Sequence, residues 1–553
     1  RPRLDELRLS LAAQPQDGGV AAPLGDGAAH LDGRGASEYL AADAADYLAT
    51  ADTADYLASA DEFMAADAAP GEALTFYIET RGCQMNVSDS EVVRSILLAA
   101  GFEEKPSPDE AWVTLLNTCA IREKAELKVW SRLSDLRKAS KSRKIAVLGC
   151  MAERIKEELF SRKLVDVVAG PDSYRELPRL FAGLGGGTRI ETQLSLEETY
   201  ADVVPVRADA GKKHGAFVSI QRGCDNMCSY CIVPFVRGRE RSRPVSSVVD
   251  ECRTLYDEGV REITLLGQNV NSYGASLESP LQGAAVSAGE KRSYSVGFDP
   301  FIRHQRRDDR EACRFAELLQ FVAEAAPEAR IRFTSPHPKD FPDALLDVIS
   351  MQPNVAKQIH LPAQSGSDEV LQRMRRGYTG ESYRALASRA HAKIPGLALS
   401  SDFIAGFSGE TEADHAATVD LLRQVEYDMA FIFAYSLRPK THAARHLEDD
   451  VPREVKFQRL NELLAEFHAG RARIAAAAVG GSRLVLVEGA PRRTPAPGPH
   501  LTGRDDAHRK VIFAADDAAG LMPGDFVHVR IDSTNGTSLF GTVTRRAAAG
   551  ARG

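Results

Sequence analysis

The stretch from Gln221 to Cys231, with the sequence QRGCDNMCSYC, holds three cysteines within eight positions. Their spacing, C-x3-C-x2-C, can bind three irons of a 4Fe-4S cluster with the thiolates of Cys224, Cys228 and Cys231. An electron-transfer cluster with only cysteine ligands uses four thiolates, so three leave one iron open to bind another molecule. The stretch therefore predicts a cluster whose fourth iron takes part in chemistry.

Zinc is the main competing metal for this loop. Zinc fingers and ribbons usually set two C-x2-4-C pairs well apart, and neither a second pair nor a nearby histidine follows Cys231. Three unpaired cysteines by chance is the other alternative. It is disfavoured because cysteine is scarce, with 8 in 553 residues.

Cys83, Cys119 and Cys150 each follow an apolar run that predicts a strand and precede a stretch with helical spacing. The strand runs are Leu74–Ile78, Trp112–Leu116 and Ile145–Leu148, and the helical stretches are Glu91–Ala99, Glu123–Leu136 and Ala152–Leu159. Parallel strands of one doubly wound sheet end along a single edge, where such sheets bind ligands. We therefore expect these cysteines to converge on a second three-thiolate site. Buried structural thiols are the alternative, and we assign that role to Cys252 and Cys313.

Motifs around both cysteine sets resemble those of the radical S-adenosylmethionine (SAM) methylthiotransferases, and GCQMN at Gly82–Asn86 resembles their MiaB branch. Ribosomal-protein and threonylcarbamoyl-adenosine members carry other residues after that cysteine. The match spans roughly residues 75 to 545 and includes Asn117–Cys119, Leu148–Arg154, Cys231–Pro234, Arg237–Arg243 and Leu266–Asn271. Arg332–Asp340, Gln358–Ser367 and Leu447–Pro452 resemble the eukaryotic form, named for association with a regulatory subunit of a cyclin-dependent kinase.

The resemblance implies an enzyme with two 4Fe-4S clusters and six catalytic cysteines. Cys224, Cys228 and Cys231 would hold the SAM-binding cluster, and Cys83, Cys119 and Cys150 an auxiliary cluster. One SAM would methylate a sulfur, and a second would give a 5′-deoxyadenosyl radical. The implied product carries a methylthio group at C2 of N6-isopentenyladenosine at position 37 of tRNA.

The predicted fold class is α/β with several domains. After an acidic leader over residues 1–70, which we expect to be disordered, the predicted regions are a doubly wound methylthiotransferase domain over 73–200, a partial radical SAM barrel over 210–475 and a small β-barrel over 480–546. A polar insertion at 275–312 interrupts the barrel. The leader holds 13 acidic residues against 4 arginines, so the rest of the chain has a net charge of about +1.

Six apolar runs from residue 217 to 434, each ending in polar residues, predict an incomplete (βα)6 barrel with its active site at the carboxyl ends of the strands. The runs are Phe217–Ile220, Ile263–Leu266, Ile331–Phe333, Gln358–Leu361, Leu397–Ser400 and Met429–Ala434. The candidate SAM and substrate contacts at this rim are Gln268, Asn269, Ser335, Gln364 and Asp402, although helix capping is an alternative for each. The resemblance adds Tyr230, which would pack near the SAM adenine.

RNA is the expected partner. Arg237, Arg239, Arg241 and Arg243 follow the cysteine loop and could pair with phosphates of the tRNA anticodon arm, the alternative being a salt-bridged loop. Four short strands after residue 482 predict a β-barrel that looks like a TRAM domain, an RNA-binding module of the family. Those strand runs are Leu484–Val487, Val511–Phe513, Phe526–Ile531 and Leu539–Val543.

Other partners and the location follow from the resemblance. It implies an electron donor such as a ferredoxin or flavodoxin-type reductase, a possible kinase regulatory subunit and a mitochondrial location, with plastid, nucleus or cytoplasm as alternatives. The leader lacks the arginine-rich character of a transit peptide, but the chain begins at Arg1. No apolar run is long enough to span a bilayer, so we expect a soluble protein. Few cysteines remain for disulfides, which suits a reducing compartment.

Three alternative functions stay open. A methylthiotransferase acting on a protein residue, or on another tRNA base, would share both cysteine sets, but the GCQMN motif and the RNA-type terminal region favour the isopentenyladenosine reaction. An adaptor that binds a kinase regulatory subunit would need no clustered cysteines, so that role can only be an additional one.

Overall fold

The structure is a computed structural model that describes residues 74–120, 123–182, 189–207, 214–276, 298, 312–491, 499–514 and 520–547. The predicted acidic leader and most of the predicted insertion at 275–312 lie outside these ranges. In the described parts of the chain, no helix is long and apolar enough to cross a membrane.

The amino-terminal region forms a six-stranded sheet whose strand pairs are all parallel. The strands are β1 Thr75–Arg81, β2 Glu103–Glu104, β3 Val113–Thr118, β4 Lys144–Gly149, β5 Val167–Ala169 and β6 Arg189–Glu191. Their order is β2-β1-β3-β4-β5-β6, so the three strands that precede the cysteines are neighbours.

Helices cover both faces of this sheet. They are α1 Gln84–Ala99, α2 Glu123–Ala139, α3 Cys150–Ser161 and α4 Leu177–Ala182. Val93 of α1 and Leu177 of α4 pack into one apolar cluster, and Leu133 of α2 packs into another. Two buried faces explain why the strands read as continuous apolar runs, and the predicted doubly wound fold is confirmed.

The central region carries six parallel strands in two three-stranded sheets, ordered β13-β10-β7 and β14-β15-β16. These strands are β7 Gly215–Ser219, β10 Glu262–Leu266, β13 Arg330–Phe333, β14 Gln358–His360, β15 Ala398–Ala405 and β16 Met429–Ala434. A single bridge between Ile331 and Val355 links the two sheets. All six predicted strand runs are present, and the predicted partial barrel is confirmed.

Helices pack on the outside of this barrel. The long ones are α6 Val245–Asp257, α7 Phe315–Ala325, α8 Asp343–Met351, α10 Gly380–Lys393, α11 Glu412–Val425 and α13 Arg453–Ala477. Shorter elements are β8 Gln221–Arg222, α5 Val233–Arg237, β9 Arg241–Ser242, β11 Gly274–Ser276, β12 Ala312–Arg314, α9 Asp368–Arg373 and α12 His442–His446. Ile263, Ile331 and Leu399 share one core with the helices. Residues at alternate positions of these strands therefore face the barrel interior.

The last region is a closed five-stranded barrel in the order β17-β18-β19-β21-β20. Its strands are β17 Ser482–Gly489, β18 His500–Arg504, β19 Lys510–Ala514, β20 Phe526–Thr534 and β21 Leu539–Arg546. Four of the five were predicted. The prediction missed β18, because its sequence, HLTGR, mixes a glycine and two basic residues with a single large apolar side chain.

The terminal barrel covers the amino-terminal end of the central barrel. Arg330, which is fully buried at the start of β13, donates hydrogen bonds to the carbonyls of Arg504 (2.9 Å) and Leu484 (3.0 Å). Arg332 donates to the carbonyl of Asp505 at 2.8 Å. The carboxyl ends of the barrel strands are therefore opposite the end that this contact covers.

Candidate active site

The first cysteine set lies at the carboxyl ends of three neighbouring strands. Cys83 precedes α1, Cys119 directly follows β3, and Cys150 begins α3. The Cys83 sulfur accepts a hydrogen bond from Cys119 and interacts electrostatically with Cys150. The structure thus brings together three cysteines that lie far apart in the sequence.

Two buried asparagines connect the loops that carry Cys83 and Cys119. The Asn86 side-chain amide donates to Asn117 Oδ1 at 3.0 Å and to the Thr118 carbonyl at 3.2 Å. Its Oδ1 accepts from the Cys83 backbone N–H at 3.2 Å, and Asn117 donates back to the Asn86 carbonyl at 3.0 Å. The asparagine of the GCQMN motif therefore fixes one cysteine loop to the next.

The thiols of this set sit in different electrostatic surroundings. The hydrogen bond from Cys119 lowers the pKa of Cys83 to about 6 against the effect of burial, and the positive charge of Arg237 assists. Burial raises the pKa of Cys150, although Arg237 Nε donates a hydrogen bond to the Cys150 sulfur at 3.1 Å. A guanidinium group therefore lies beside two of the three cysteines.

The second cysteine set occupies the loop between β8 and α5. Gly223 opens this loop with a φ of +76°, and a Cβ there would overlap the carbonyl oxygen of Arg239. Cys224 and Cys228 are buried. Burial, together with the charge of Cys228, raises the pKa of Cys231 to about 12. Cysteines bind metal as thiolates, so the positive charge of bound iron would be needed to deprotonate these buried thiols.

Arg376 contacts this second set, and no spacing in the sequence predicts it. Its Nη1 lies 3.4 Å from the Cys228 sulfur and 3.4 Å from the Tyr230 hydroxyl, and its Nη2 donates to the Pro362 carbonyl at 2.8 Å. Tyr230 in turn packs edge-on against Phe407, with ring centroids 6.5 Å apart. Each cysteine set therefore has one buried arginine beside a sulfur.

Both sets fit an iron-sulfur cluster. The eight cysteines all lie in described ranges and form no disulfide. Across those ranges no three or more His, Cys, Asp or Glu side chains could hold a metal ion. A 4Fe-4S cluster makes a different demand, because each thiolate binds a different iron atom. Three thiols beside a guanidinium group suit an anionic thiolate-ligated cluster.

The predicted SAM contacts Gln268, Asn269, Ser335 and Gln364 lie where strands β10, β13 and β14 end. Gln268 Nε2 and Asn269 Oδ1 are buried and have no hydrogen-bond partner among the described residues. Ser335 and Gln364 have φ values of +60° and +71°. Unsatisfied polar atoms and left-handed backbone at non-glycine residues are features of binding sites. These atoms fit a polar ligand such as SAM.

Asp402 lies on the interior wall of the barrel, next to His360, which no motif in the sequence predicts. His360 Nε2 is 3.3 Å from Asp402 Oδ2, and His360 Nδ1 is 3.0 Å from Ser400 Oγ. The ring of Phe431, 41% exposed, stands edge-on to His360 with centroids 6.2 Å apart. These side chains form a partly exposed wall that combines polar groups with one aromatic ring.

Three of the four arginines predicted to bind RNA are instead buried in ion pairs within the protein. Arg237 pairs with Asp89, Arg241 with Asp172 and Arg243 with Glu251, at 2.6, 2.9 and 2.7 Å. The RNA prediction is wrong for these three in this structure, because their charges face buried carboxylates. Arg239 differs, since its side chain is 66% exposed.

A C-x3-C-x2-C loop at the carboxyl end of a six-stranded partial barrel defines a radical SAM enzyme. Residues 218–422 match the Radical SAM superfamily, and residues 75–170 match the family described as Uncharacterized protein family UPF0004. The radical SAM methyltransferase TsrM from Kitasatospora setae is a distant structural match at 14% identity, with a TM-score of 0.47 over 77% of this chain and 80% of that one.

Relatives of known name are much closer in sequence. The mitochondrial tRNA methylthiotransferases CDK5RAP1 of Rattus norvegicus and Homo sapiens are 48% and 47% identical over 88% of this chain and 83% and 84% of theirs. A tRNA-2-methylthio-N(6)-dimethylallyladenosine synthase of Chloroherpeton thalassium is 44% identical over 84% of this chain and 95% of its own. The chain belongs to this family of radical SAM tRNA methylthiotransferases and is an enzyme.

Proposed function

We propose that this chain inserts a methylthio group at C2 of N6-isopentenyladenosine at position 37 of tRNA, using one SAM to methylate sulfur and one to generate the radical. Relatives that span most of the chain carry the names of this activity. The observation that carries the proposal is the convergence of Cys83, Cys119 and Cys150 at the carboxyl ends of three neighbouring strands. A radical SAM enzyme that only cleaves SAM has no need of a second cysteine set.

We propose that Cys224, Cys228 and Cys231 hold one 4Fe-4S cluster and that Cys83, Cys119 and Cys150 hold another. Bound there with SAM, these groups supply radical formation and sulfur. The protein's part is to bind and shield. Gln268 and Asn269 offer buried polar atoms to SAM, and the terminal barrel excludes water from the far end of the central barrel.

The substrate base would enter at the carboxyl ends of the central barrel's strands. An adenine in an anticodon loop is largely unpaired, so turning it inward costs less than extracting it from a duplex. The Phe431 ring offers a stacking surface, and the His360–Asp402 pair offers hydrogen bonds. Arg239, exposed beside the cysteine loop, is the remaining predicted arginine that can reach a phosphate.

We also propose domain boundaries at residues 73–200, 210–475 and 480–546. A mitochondrial location is supported by the names of mammalian relatives. A ferredoxin or flavodoxin-type reductase as electron donor, and a kinase regulatory subunit as an additional partner, rest on the family resemblance alone.

The test is a reaction under anaerobic conditions with the reconstituted protein, SAM, dithionite and an anticodon stem-loop RNA containing isopentenyladenosine. Mass spectrometry should detect the methylthio product with the parent protein but not with Cys228→Ala or Cys119→Ala. Cys252→Ala, which removes a buried core thiol that belongs to neither set, is the matched control and should retain product.

The outcomes separate the two halves of the proposal. Deoxyadenosine formed without modified RNA would support the radical function and refute the assigned base. Product formed by Cys119→Ala would refute the sulfur-donating role of the first cysteine set.

A further inference from the structure

A buried ionic cluster joins the amino-terminal sheet to the cysteine loop of the barrel. Asp89 of α1 accepts hydrogen bonds on both carboxylate oxygens, from Arg222 at 2.9 Å and from Arg237 at 2.6 Å. All three side chains are at most 3% exposed. The Tyr174 hydroxyl also donates to Asp89, at 3.2 Å. One carboxylate thus fixes two arginines from another part of the chain.

Arg237 uses its guanidinium group to face two neighbours at once. Nη2 donates to Asp89, while Nε donates to the Cys150 sulfur at 3.1 Å. Nη1 is buried and has no hydrogen-bond partner among the described residues. The planar fork of arginine suits such a bridge, and one donor remains for a group bound at the cysteines.

The ionic cluster carries more positive than negative charge. Asp172 pairs with Arg241 at 2.9 Å and with Arg222 at 3.5 Å. With Asp89 and Arg237 included, three arginines face two aspartates. A buried guanidinium without an anion is unfavourable, so the remaining positive charge calls for a negative group. The Cys150 sulfur lies 3.1 Å from Arg237 Nε, so a negatively charged cluster bound at Cys150 would be that group.

We propose that Arg237 is a positioning residue of the sulfur-donating site. It stabilises the negative charge of a cluster held by Cys83, Cys119 and Cys150, and through Asp89 it fixes that site relative to the barrel cysteines. This inference rests on the proposed function only in assuming a cluster at the first cysteine set.

The direct test uses the full chain with Cys224, Cys228 and Cys231 replaced by alanine, so that only the first set can bind iron. The midpoint potential of its cluster is measured by EPR in this background and in Arg237→Gln. Loss of a nearby positive charge should lower the potential, because reduction adds negative charge. Arg459→Gln is the control: Arg459 is a buried arginine paired with Glu410 at 3.1 Å, away from the cysteines, and the potential should not move.

Arg237→Lys covers the case in which the glutamine variant does not fold. Lysine keeps the charge opposite Asp89 but cannot bridge Asp89 and Cys150 in one plane. We expect a potential closer to the parent, with faster hydrogen exchange over 84–99 and 233–243. A lysine variant with parental potential and exchange, or a glutamine variant that behaves like Arg459→Gln, would overturn the proposal.

A second readout uses the protein with all cysteines present. Arg237→Gln should lose methylthio product by at least about tenfold, the usual effect of removing a group that supports metal ligands, while still forming deoxyadenosine. If the parent makes no methylthio RNA, the proposed function fails, yet the potential of the first set still decides the role of Arg237.

Discussion

Gly223 determines how the barrel cysteine loop can fold. Its φ of +76° is unfavourable for residues with a side chain, and the Arg239 and Gly238 carbonyls occupy the space of a Cβ. The loop can therefore turn at this point only with glycine. Cys224 follows directly, so its direction depends on that turn.

Gly223→Ala should abolish cluster binding at the barrel and destabilise the fold by about 2 kcal/mol or more, since backbone strain and overlap act together. Reconstituted protein should lose about four irons per chain relative to the parent. Gly259→Ala is the control, because Gly259 has a φ of +92° but an open surrounding. It should cost about 1 kcal/mol and retain full iron content. Equal iron in both variants would contradict this account.

For single residues, the sequence predicts the roles of the cysteines better than the surroundings of the arginines. Spacing identifies Cys224, Cys228 and Cys231, because a cluster imposes it locally. The arginine-rich segment predicts RNA contact, with a salt-bridged loop as the alternative, and Arg237 and Arg241 follow the alternative by pairing with Asp89 and Asp172, which lie 148 and 69 positions away. Such distant partners leave no local pattern.

Strand-to-helix connections are the elements that assemble the first cysteine set. The loop after β1 and the loop after β3 are held together by Asn86 and Asn117, both fully buried. Each side-chain amide donates at least one hydrogen bond to the other loop. The Asn86–Asn117 pair therefore helps the strands to position the cysteines.

Asn86→Ala should leave Asn117 Oδ1 and the Thr118 carbonyl without their hydrogen-bond donor, at a cost of at least about 2 kcal/mol. We expect iron loss at the first cysteine set and normal iron at the barrel set, measured by iron content in backgrounds that retain one set at a time. Asn354→Ala removes an equally buried asparagine that donates to the Ala323 and Ala326 carbonyls. That control should be destabilised without selective iron loss, and selective loss in the control would refute the prediction.

The elements themselves were largely predictable from sequence. Buried parallel strands such as β3 and β4 are apolar over most of their length, so periodicity finds them. Strand β18 was missed because barrel closure, rather than its own side chains, makes it a strand. The Asn86–Asn117 pair could not be predicted, since it depends on strand order.

At the scale of the whole molecule, charged groups join the terminal barrel to the amino-terminal end of the central barrel. Burial would raise the pKa of Glu262, but Arg332 and Arg330 hold it at about 2. Burial and the charge of Arg332 lower the pKa of His508, in the terminal barrel, to about 3. The contact between the barrels therefore contains a histidine that stays neutral when folded.

His508 should make the folded protein sensitive to acid. Between pH 6.5 and about 3, His508 is protonated in the unfolded chain but neutral in the folded protein. The free energy of unfolding therefore falls as the pH falls through this window. His508→Asn, which suits the φ of +61° at this position, should reduce that slope by up to about 1.4 kcal/mol per pH unit. Urea unfolding of parent and variant at pH 7 and pH 5 measures the difference. If parent and variant lost the same free energy of unfolding between pH 7 and pH 5, His508 would be excluded as the cause.

The junction around Asp89 also governs whether the chain can be divided. Asp89 and Arg222 are 133 positions apart, on opposite sides of residues 208–213. Cleavage there would leave two carboxylates, Asp89 and Asp172, in one fragment and their three arginine partners in the other, so both fragments would lose buried ion pairs. Separately expressed halves should therefore be poorly soluble alone and recover when mixed, so that the amino-terminal sheet and the radical SAM barrel are obligate companions rather than exchangeable modules.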